Sequence, residues 1–206
     1  LKIDQSFVRD MLDDPDDLAI LDAVIGLAAA FRRGIIAEGV ETLEQGELLL
    51  ELGCELAQGY CISRPMPAAE FPHWAAGWRP CARWLNKAPA KRDDLPLLFA
   101  QVEHRAWVIA MEKHLSDDTN SPPLTASQSR FGSWLATKGR LCHADHADFL
   151  AAERVHREAH ALTLELCELK AHGRAPEALA RRNELHALGD ALLAHLRALH
   201  EEQPVH

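Results

Sequence analysis

Three times between Leu1 and Trp78 a short apolar run is followed by a helical segment, and that alternation constrains the fold more than any other feature of the chain. Leu1-Lys2-Ile3-Asp4 is a brief apolar stretch ending in polar residues. The Asp13-Asp14-Pro15-Asp16-Asp17 cluster then supplies a cap and first-turn carboxylates to a long helix. In it Leu18, Leu21, Ile25, Leu27 and Ala28 recur at helical spacing. Arg32 and Arg33 complement its C-terminal end, and Gly34 is expected to stop it. Ile35-Ile36-Ala37-Glu38 reads as a buried parallel strand. Thr42-Leu43-Glu44-Gln45 is a capping-box pattern that opens a helix closed by Gly53. A short Glu55-Leu56-Ala57-Gln58 strand and a helix from Pro67 to Trp78 complete the set. Strand–helix–strand alternation implies parallel strands with right-handed crossovers. Three such units neither close a barrel nor cover both faces of a parallel sheet, which is normally buried throughout. Residues 1–79 are therefore expected to be an α/β barrel fragment, the last three βα units of a TIM-like barrel. A chain that opens on Leu1 rather than Met fits an N-terminus cut away upstream.

Composition changes near residue 100. Of 12 histidines only His73 precedes His104, which points to two modules with different tasks. Residues 80–96, entered through Arg79-Pro80 and with Asn86-Lys87-Ala88-Pro89 and Lys91-Arg92 within, read as a linker. From Leu97 onward strand-like alternation is absent. The pattern predicts a helix from Leu97 to Leu115, a loop over 116–126, a shorter helix around Ser129 to Thr137, and two long helices. These run from about Asp145 to Ala171 and from Ala175 to Glu202, separated by His172-Gly173. Four antiparallel helices with small-residue connections make an all-α four-helix bundle over 97–206.

Several classes are excluded or disfavoured by bulk properties. The formal charge of −9 argues against a nucleic-acid partner, whose phosphates need clustered Lys and Arg. The longest clean apolar stretch, Ala23 to Phe31, is about half of what a transmembrane helix needs, so no membrane span is expected. Five scattered cysteines without a CxxC pair indicate neither a disulfide framework nor a zinc ribbon, and a cytoplasmic location is expected.

Polar residues end each of the three strands: Lys2 with Asp4, Glu38, and Gln58. In a parallel α/β barrel the carboxyl ends of the strands carry the active site, although Glu38 and Gln58 could equally cap the loops that follow. The words around them are Leu1-Lys2-Ile3-Asp4-Gln5-Ser6-Phe7-Val8, Ala37-Glu38-Gly39-Val40-Glu41-Thr42, and Ala57-Gln58-Gly59-Tyr60 followed by Ser63-Arg64-Pro65-Met66-Pro67. In order and spacing they resemble the last three strand motifs of the EAL domain, a family of bacterial cyclic di-GMP phosphodiesterases. The resemblance covers residues 1–79. It implies that Lys2 is the catalytic lysine near the attacking water and the scissile phosphate. Glu38 would support the metal–phosphate centre, and Gln58 would hydrogen-bond metal-bound water. It implies Mg2+ or Mn2+ as cofactor and cyclic di-GMP as substrate. Most metal ligands of that family lie in its first five βα units, so the chain as given is expected to be inactive.

In the second module His156-Arg157-Glu158-Ala159-His160 places two histidines at i and i+4, on one helix face and within reach of one metal ion. In a histidine-rich segment such a pair also arises by chance, as polar surface. His104-Arg105-Ala106-Trp107, Phe131-Gly132-Ser133-Trp134 and the HxxxH pair together resemble the chemoreceptor zinc-binding (CZB) domain, a bacterial four-helix sensory family, over about residues 95–170. The resemblance implies that His104, His156 and His160 hold Zn2+. The family's cysteine ligand is replaced by Ser129, whose hydroxyl hardly ionises near neutral pH. Weakened zinc binding is therefore expected, with water or a side chain such as Cys142 completing the site.

Other residues have plainer readings. Trp107 and Trp134 are expected to be core anchors, and Phe71-Pro72-His73-Trp74 to pack as a barrel helix. Cys142-His143 with His146 reads as a solvated helix N-terminus, and His172, His186, His195 and His200 as solvated.

Three functions follow for testing. The first is a part of a cyclic di-GMP phosphodiesterase tuned by a zinc-sensing bundle, acting as a homodimer. The second is a non-catalytic metal-sensing or dimerisation module on a degenerate barrel scaffold. The third is a di-iron bundle of the hemerythrin kind, which needs more bridging carboxylates than this arrangement offers.

Overall fold

The computed structural model describes residues 1–85, 87–92, 94–116 and 130–201, without the side chains of Arg130, His200 and Glu201. The chain divides into two compact units, Leu1–Asp93 and Asp94–His206.

In the first unit, strands β1 (Lys2–Ile3), β2 (Ile36–Glu38) and β3 (Leu56–Gln58) form a parallel sheet in that order. Lys2 lies opposite Ile36 and Ile3 opposite Ala37; Ala37 lies opposite Ala57 and Glu38 opposite Gln58. Because side chains alternate along a strand, Lys2, Ile36, Glu38, Leu56 and Gln58 share one face, and Ile3, Ala37 and Ala57 the other. The second face is the covered one: Ile3 and Ala37 are buried, whereas Leu56 on the first is 58% exposed.

Helices α1 (Gln5–Asp10), α2 (Pro15–Ala30), α3 (Leu43–Glu51) and α4 (Phe71–Gly77) complete the unit. α1 was not expected from periodicity; Asp4 caps it, accepting from Ser6 N–H at 2.8 Å. The Asp14 carboxylate caps α2 through Asp16 N–H and Asp17 N–H. The buried stripe of α2 is Leu18, Leu21, Ile25 and Ala28, while Leu27 faces solvent. The stop of α2 also differs from expectation. Arg32, not Gly34, takes the left-handed conformation (φ 52°), with Arg33 N–H donating to Ala28 C=O at 2.8 Å. The capping box of Thr42 and Gln45 is formed, and Gly53 (φ 90°) closes α3. α4 is shorter than the expected Pro67–Trp78 helix and buries none of its residues, so Phe71 is no packing anchor.

Residues 81–85 and 87–90 form a strap on α3. Trp84 Nε1–H donates to Leu43 C=O at 3.0 Å, and its ring lies over Gly46 so closely that a Cβ there would stand 2.5 Å from it. Arg83 bonds Glu47 at 2.9 Å and Glu44 at 3.0 Å, Lys87 pairs with Glu51 at 2.7 Å, and Ala90 N–H donates to Glu51 C=O. Much of the stretch expected to be a linker is thus tied to the first unit.

The second unit is helical: α5 (Leu95–Ser116), α6 (Arg130–Trp134), a π-helical segment (Leu135–Gly139), α7 (Arg140–His143), α8 (Ala147–Ala171), α9 (Ala175–Ala180) and α10 (Arg182–Glu201). The helix expected to end near Thr137 continues through the π segment to His143. The last expected helix is broken at Arg181 into α9 and α10. α10 packs on α8 and on α5. Two apolar clusters fill the interior. One includes Leu97, Phe131, Trp134, Phe149, Val155 and Leu196; the other includes Trp107, Met111, Leu162, Leu166 and Leu185. Along α5 His104 falls between the two clusters, and along α8 His156 does, with His160 one turn further on. No helix among the described residues is long and apolar enough to cross a membrane.

Candidate functional site

The structure brings Lys2, Glu38 and Gln58 together. The Lys2 ammonium pairs with Glu38 Oε1, and Gln58 Nε2–H donates to the same oxygen at 3.5 Å. Parallel register explains the meeting. Glu38 and Gln58 are direct partners at the ends of β2 and β3, and Lys2, on the same face of β1, sends its long stem along the sheet. Glu38 is half-buried and Lys2 is exposed, so the trio faces solvent on the open side of the sheet. The amide nitrogen of Gln58 turns to Glu38, which leaves its carbonyl oxygen to address another group. Carboxylate and carbonyl oxygens suit a hard ion such as Mg2+ or Mn2+. An ammonium beside them suits an anionic phosphoryl group.

In the helical unit, His104 on α5 and His156 on α8 lie in the layer between the two apolar clusters, with His160 one turn further along α8. His104 and His156 are each 5% exposed, and His160 is partly buried. The rings of His156 and His160 stand edge to face with centroids 4.5 Å apart. Trp107 stacks on His104 at 5.5 Å and meets His160 at 4.5 Å, while Phe131 meets His156 at 5.1 Å. Burial, with the neighbouring His156 and His160 adding to it, pushes His104 down to about 3. Burial, reinforced by His160, pushes His156 down to about 4, and burial alone takes His160 to about 4. All three are neutral imidazoles at neutral pH, the protonation state in which histidine ligates a metal.

His104 Nε2 is buried with no hydrogen-bond partner. Its neighbour is Gly189 of α10, where a Cβ would stand 3.5 Å from that nitrogen. That unpartnered buried nitrogen thus faces a residue without a side chain. Among the described residues, however, no three His, Cys, Asp or Glu side chains are grouped as a metal centre. Ser129 lies outside the described residues. Cys142, on α7, is exposed.

Several polar pairings were invisible to sequence reasoning because their partners are far apart in the chain. His186 Nε2 bonds Glu112 at 2.7 Å, and His195 Nδ1 bonds Asp148 at 2.7 Å, so neither is simply solvated. His146 caps α8 by accepting from Asp148 N–H at 3.2 Å. His143 closes α7 and meets the rings of Trp134 and Phe149, so it is no helix N-terminus; burial lowers its pKa. Trp107 and Trp134 are core residues, as expected. Gly189 was not singled out in the sequence, where a glycine inside a helical pattern carries no signature.

Comparison with known proteins identifies residues 1–65 as EAL domain sequence. The oxygen sensor protein DosP of Escherichia coli (strain K12) is 42% identical over 80 residues, 39% of this chain and 10% of DosP. The cyclic di-GMP phosphodiesterase RocR of Pseudomonas aeruginosa is 42% identical over 77 residues, 37% of this chain and 20% of RocR. The bifunctional diguanylate cyclase/cyclic di-GMP phosphodiesterase MucR of the same organism is 46% identical over 71 residues, 34% of this chain and 10% of MucR. The chain thus spans between a tenth and a fifth of the length of these relatives. Its first third is similar to cyclic di-GMP phosphodiesterases; the family match covers none of the helical unit.

Proposed function

We propose that the first unit is part of a barrel-shaped cyclic di-GMP phosphodiesterase domain, and that the helical unit is a four-helix metal sensor that tunes it. The observation that carries the first half is the convergence of Lys2 and Gln58 on one oxygen of Glu38, at the strand ends of a segment similar to phosphodiesterases. In this reading Lys2 stabilises negative charge that develops on the phosphoryl oxygens, and is itself held in place by Glu38. Glu38 and Gln58 would help to hold Mg2+ or Mn2+, which when bound supplies an activated water and clamps the phosphate. One carboxylate does not hold such a centre alone, so activity requires further ligands beyond this trio. The second half is supported by three neutral imidazoles, two buried and one partly buried, and by the unpartnered His104 Nε2; these would hold Zn2+. Zinc would shift activity only by its differential affinity for two arrangements of the sensor.

The test is a hybrid in which residues 1–65 replace the matching segment of RocR. A folded hybrid that hydrolyses cyclic di-GMP supports the catalytic reading. A folded, inert hybrid argues that the segment is a scaffold only.

A further inference from the structure

None of the cysteines belongs to the strand-end trio or to the histidine layer, and their surroundings differ. Cys54 is buried, and its thiol donates to Leu56 C=O at 3.4 Å. Cys142 and Cys167 lie in the helical unit. Cys61 and Cys81 are the two in the first unit that solvent reaches, each partly exposed.

A chain of contacts brings both to the first turn of α3. Cys61 N–H donates to Val40 C=O at 3.0 Å, just ahead of the Thr42 cap. Cys81 opens the strap: its carbonyl accepts from Trp84 N–H at 3.0 Å, and the Trp84 indole bonds Leu43 C=O. Glu44 links the two. It accepts from the Arg83 guanidinium at 3.0 Å, and Arg83 N–H donates to Cys81 Sγ at 3.4 Å. Burial, then the charges of Cys81 and Glu44, hold the Cys61 thiol above its ordinary range. The sulfurs thus lie close enough to feel one another's charge.

The chain between them is loosely held. α4 lies in it and buries none of its residues, with Phe71 55% exposed. A disulfide needs its sulfurs about 2 Å apart. The closing movement falls on residues 79–83, none of which is buried. Joining the ends of such a loop removes freedom from the unfolded chain without disturbing a packed core.

We infer that Cys61 and Cys81 are a thiol pair that a hydroperoxide converts to a disulfide, stapling the loop that carries α4 at its two ends. Cys81 makes the attack, because its sulfur is the one that accepts an N–H, a donor that supports negative charge there. Its thiolate takes one oxygen of the peroxide and the O–O bond breaks. The other oxygen leaves as hydroxide or alkoxide and takes up the proton the thiol gave, so Cys81 becomes a sulfenic acid. Cys61 then attacks that sulfur. The S–S bond forms, the S–O bond breaks, and water departs with the Cys61 proton. The two sulfurs have together given two electrons to the peroxide, and a dithiol reverses the change by exchange.

The test treats the reduced full chain with hydrogen peroxide under native conditions. The chain is expected to lose the mass of two hydrogens, and a non-reduced digest to yield a cross-linked peptide holding Cys61 and Cys81. Dithiothreitol should restore the original mass. Oxidation should raise the melting midpoint of the first unit by several degrees and slow protease cleavage within residues 61–81 by about tenfold or more. Cys61→Ser should accumulate sulfenic acid at Cys81, captured by a dimedone probe, with no cross-link. Cys81→Ser should leave Cys61 a thiol. Absence of a disulfide, a first disulfide through Cys54, Cys142 or Cys167, or a Cys61–Cys81 bond that forms only in urea overturns the pairing. Sulfenic acid at Cys61 in place of Cys81 overturns the order of attack.

Discussion

Lys2 reaches past its own register partner, Ile36, to pair with Glu38 two residues further along β2. The pair is positional rather than stabilising. Lys2 is 64% exposed, and ion pairs in such surroundings contribute about 0–1 kcal/mol. Lys2→Met is therefore expected to leave the melting midpoint of the first unit within a few degrees of wild type. A collapse of the fold in that variant would mean the ammonium has a structural duty.

The strap on α3 predicts strong coupling between two distant positions. Trp84 occupies the space above Gly46, so Gly46→Ala drives a methyl into the indole and should cost about 1–3 kcal/mol. In a Trp84→Ala background the same change should be near neutral or stabilising, since alanine is the better helix former. Denaturant unfolding of the four proteins of this double-mutant cycle measures the coupling. Additive effects would show that the strap does not rest on α3 in solution.

Arg32 holds a left-handed conformation that suits glycine. Arg32→Gly is expected to stabilise the first unit by about 0.5–1 kcal/mol, read as a higher urea midpoint. A loss of stability would indicate that the Arg32 side chain makes a contribution of its own.

The three layer histidines are neutral in the fold but ordinary, near 6.5, when the chain unfolds. Between those values the unfolded chain binds more protons, so stability rises with pH through the window. The contribution is complete above about 6.5. It is lost as pH falls toward about 4 for His156 and His160, and toward about 3 for His104. The melting midpoint of the metal-free helical unit, followed by tryptophan signals, should fall between pH 7 and 4.5, and His156→Leu should flatten that slope. An unchanged slope in the variant would mean that His156 is solvated.

What could be read in the sequence was local. The Thr42–Gln45 box and the Asp14 cap depend on residues three apart, and both form where the pattern placed them. The stripe of α2 was legible in the 3-4-3 spacing of Leu18, Leu21, Ile25 and Ala28; Leu27 falls beside that stripe and its apolar character alone misled. α1 has six residues, too few to show a period. The strap escaped because Pro and Lys/Arg composition reads as solvated chain, whereas its anchor, the seat of Trp84 on Gly46, joins positions far apart. The strand-end trio was legible because polar residues closed three apolar runs. The histidine pair was legible through its i,i+4 spacing, but the glycine that faces His104 from α10, Gly189, offers no chemistry to notice.

The most direct measurement of the catalytic claim is cyclic di-GMP hydrolysis by the RocR hybrid carrying residues 1–65, with and without Lys2→Ala, in saturating Mg2+. Loss of an electrostatic group that acts on the transition state should lower kcat by about 10²–10³-fold with the fold intact. A Lys2→Ala hybrid that turns over at the rate of its parent would contradict the account.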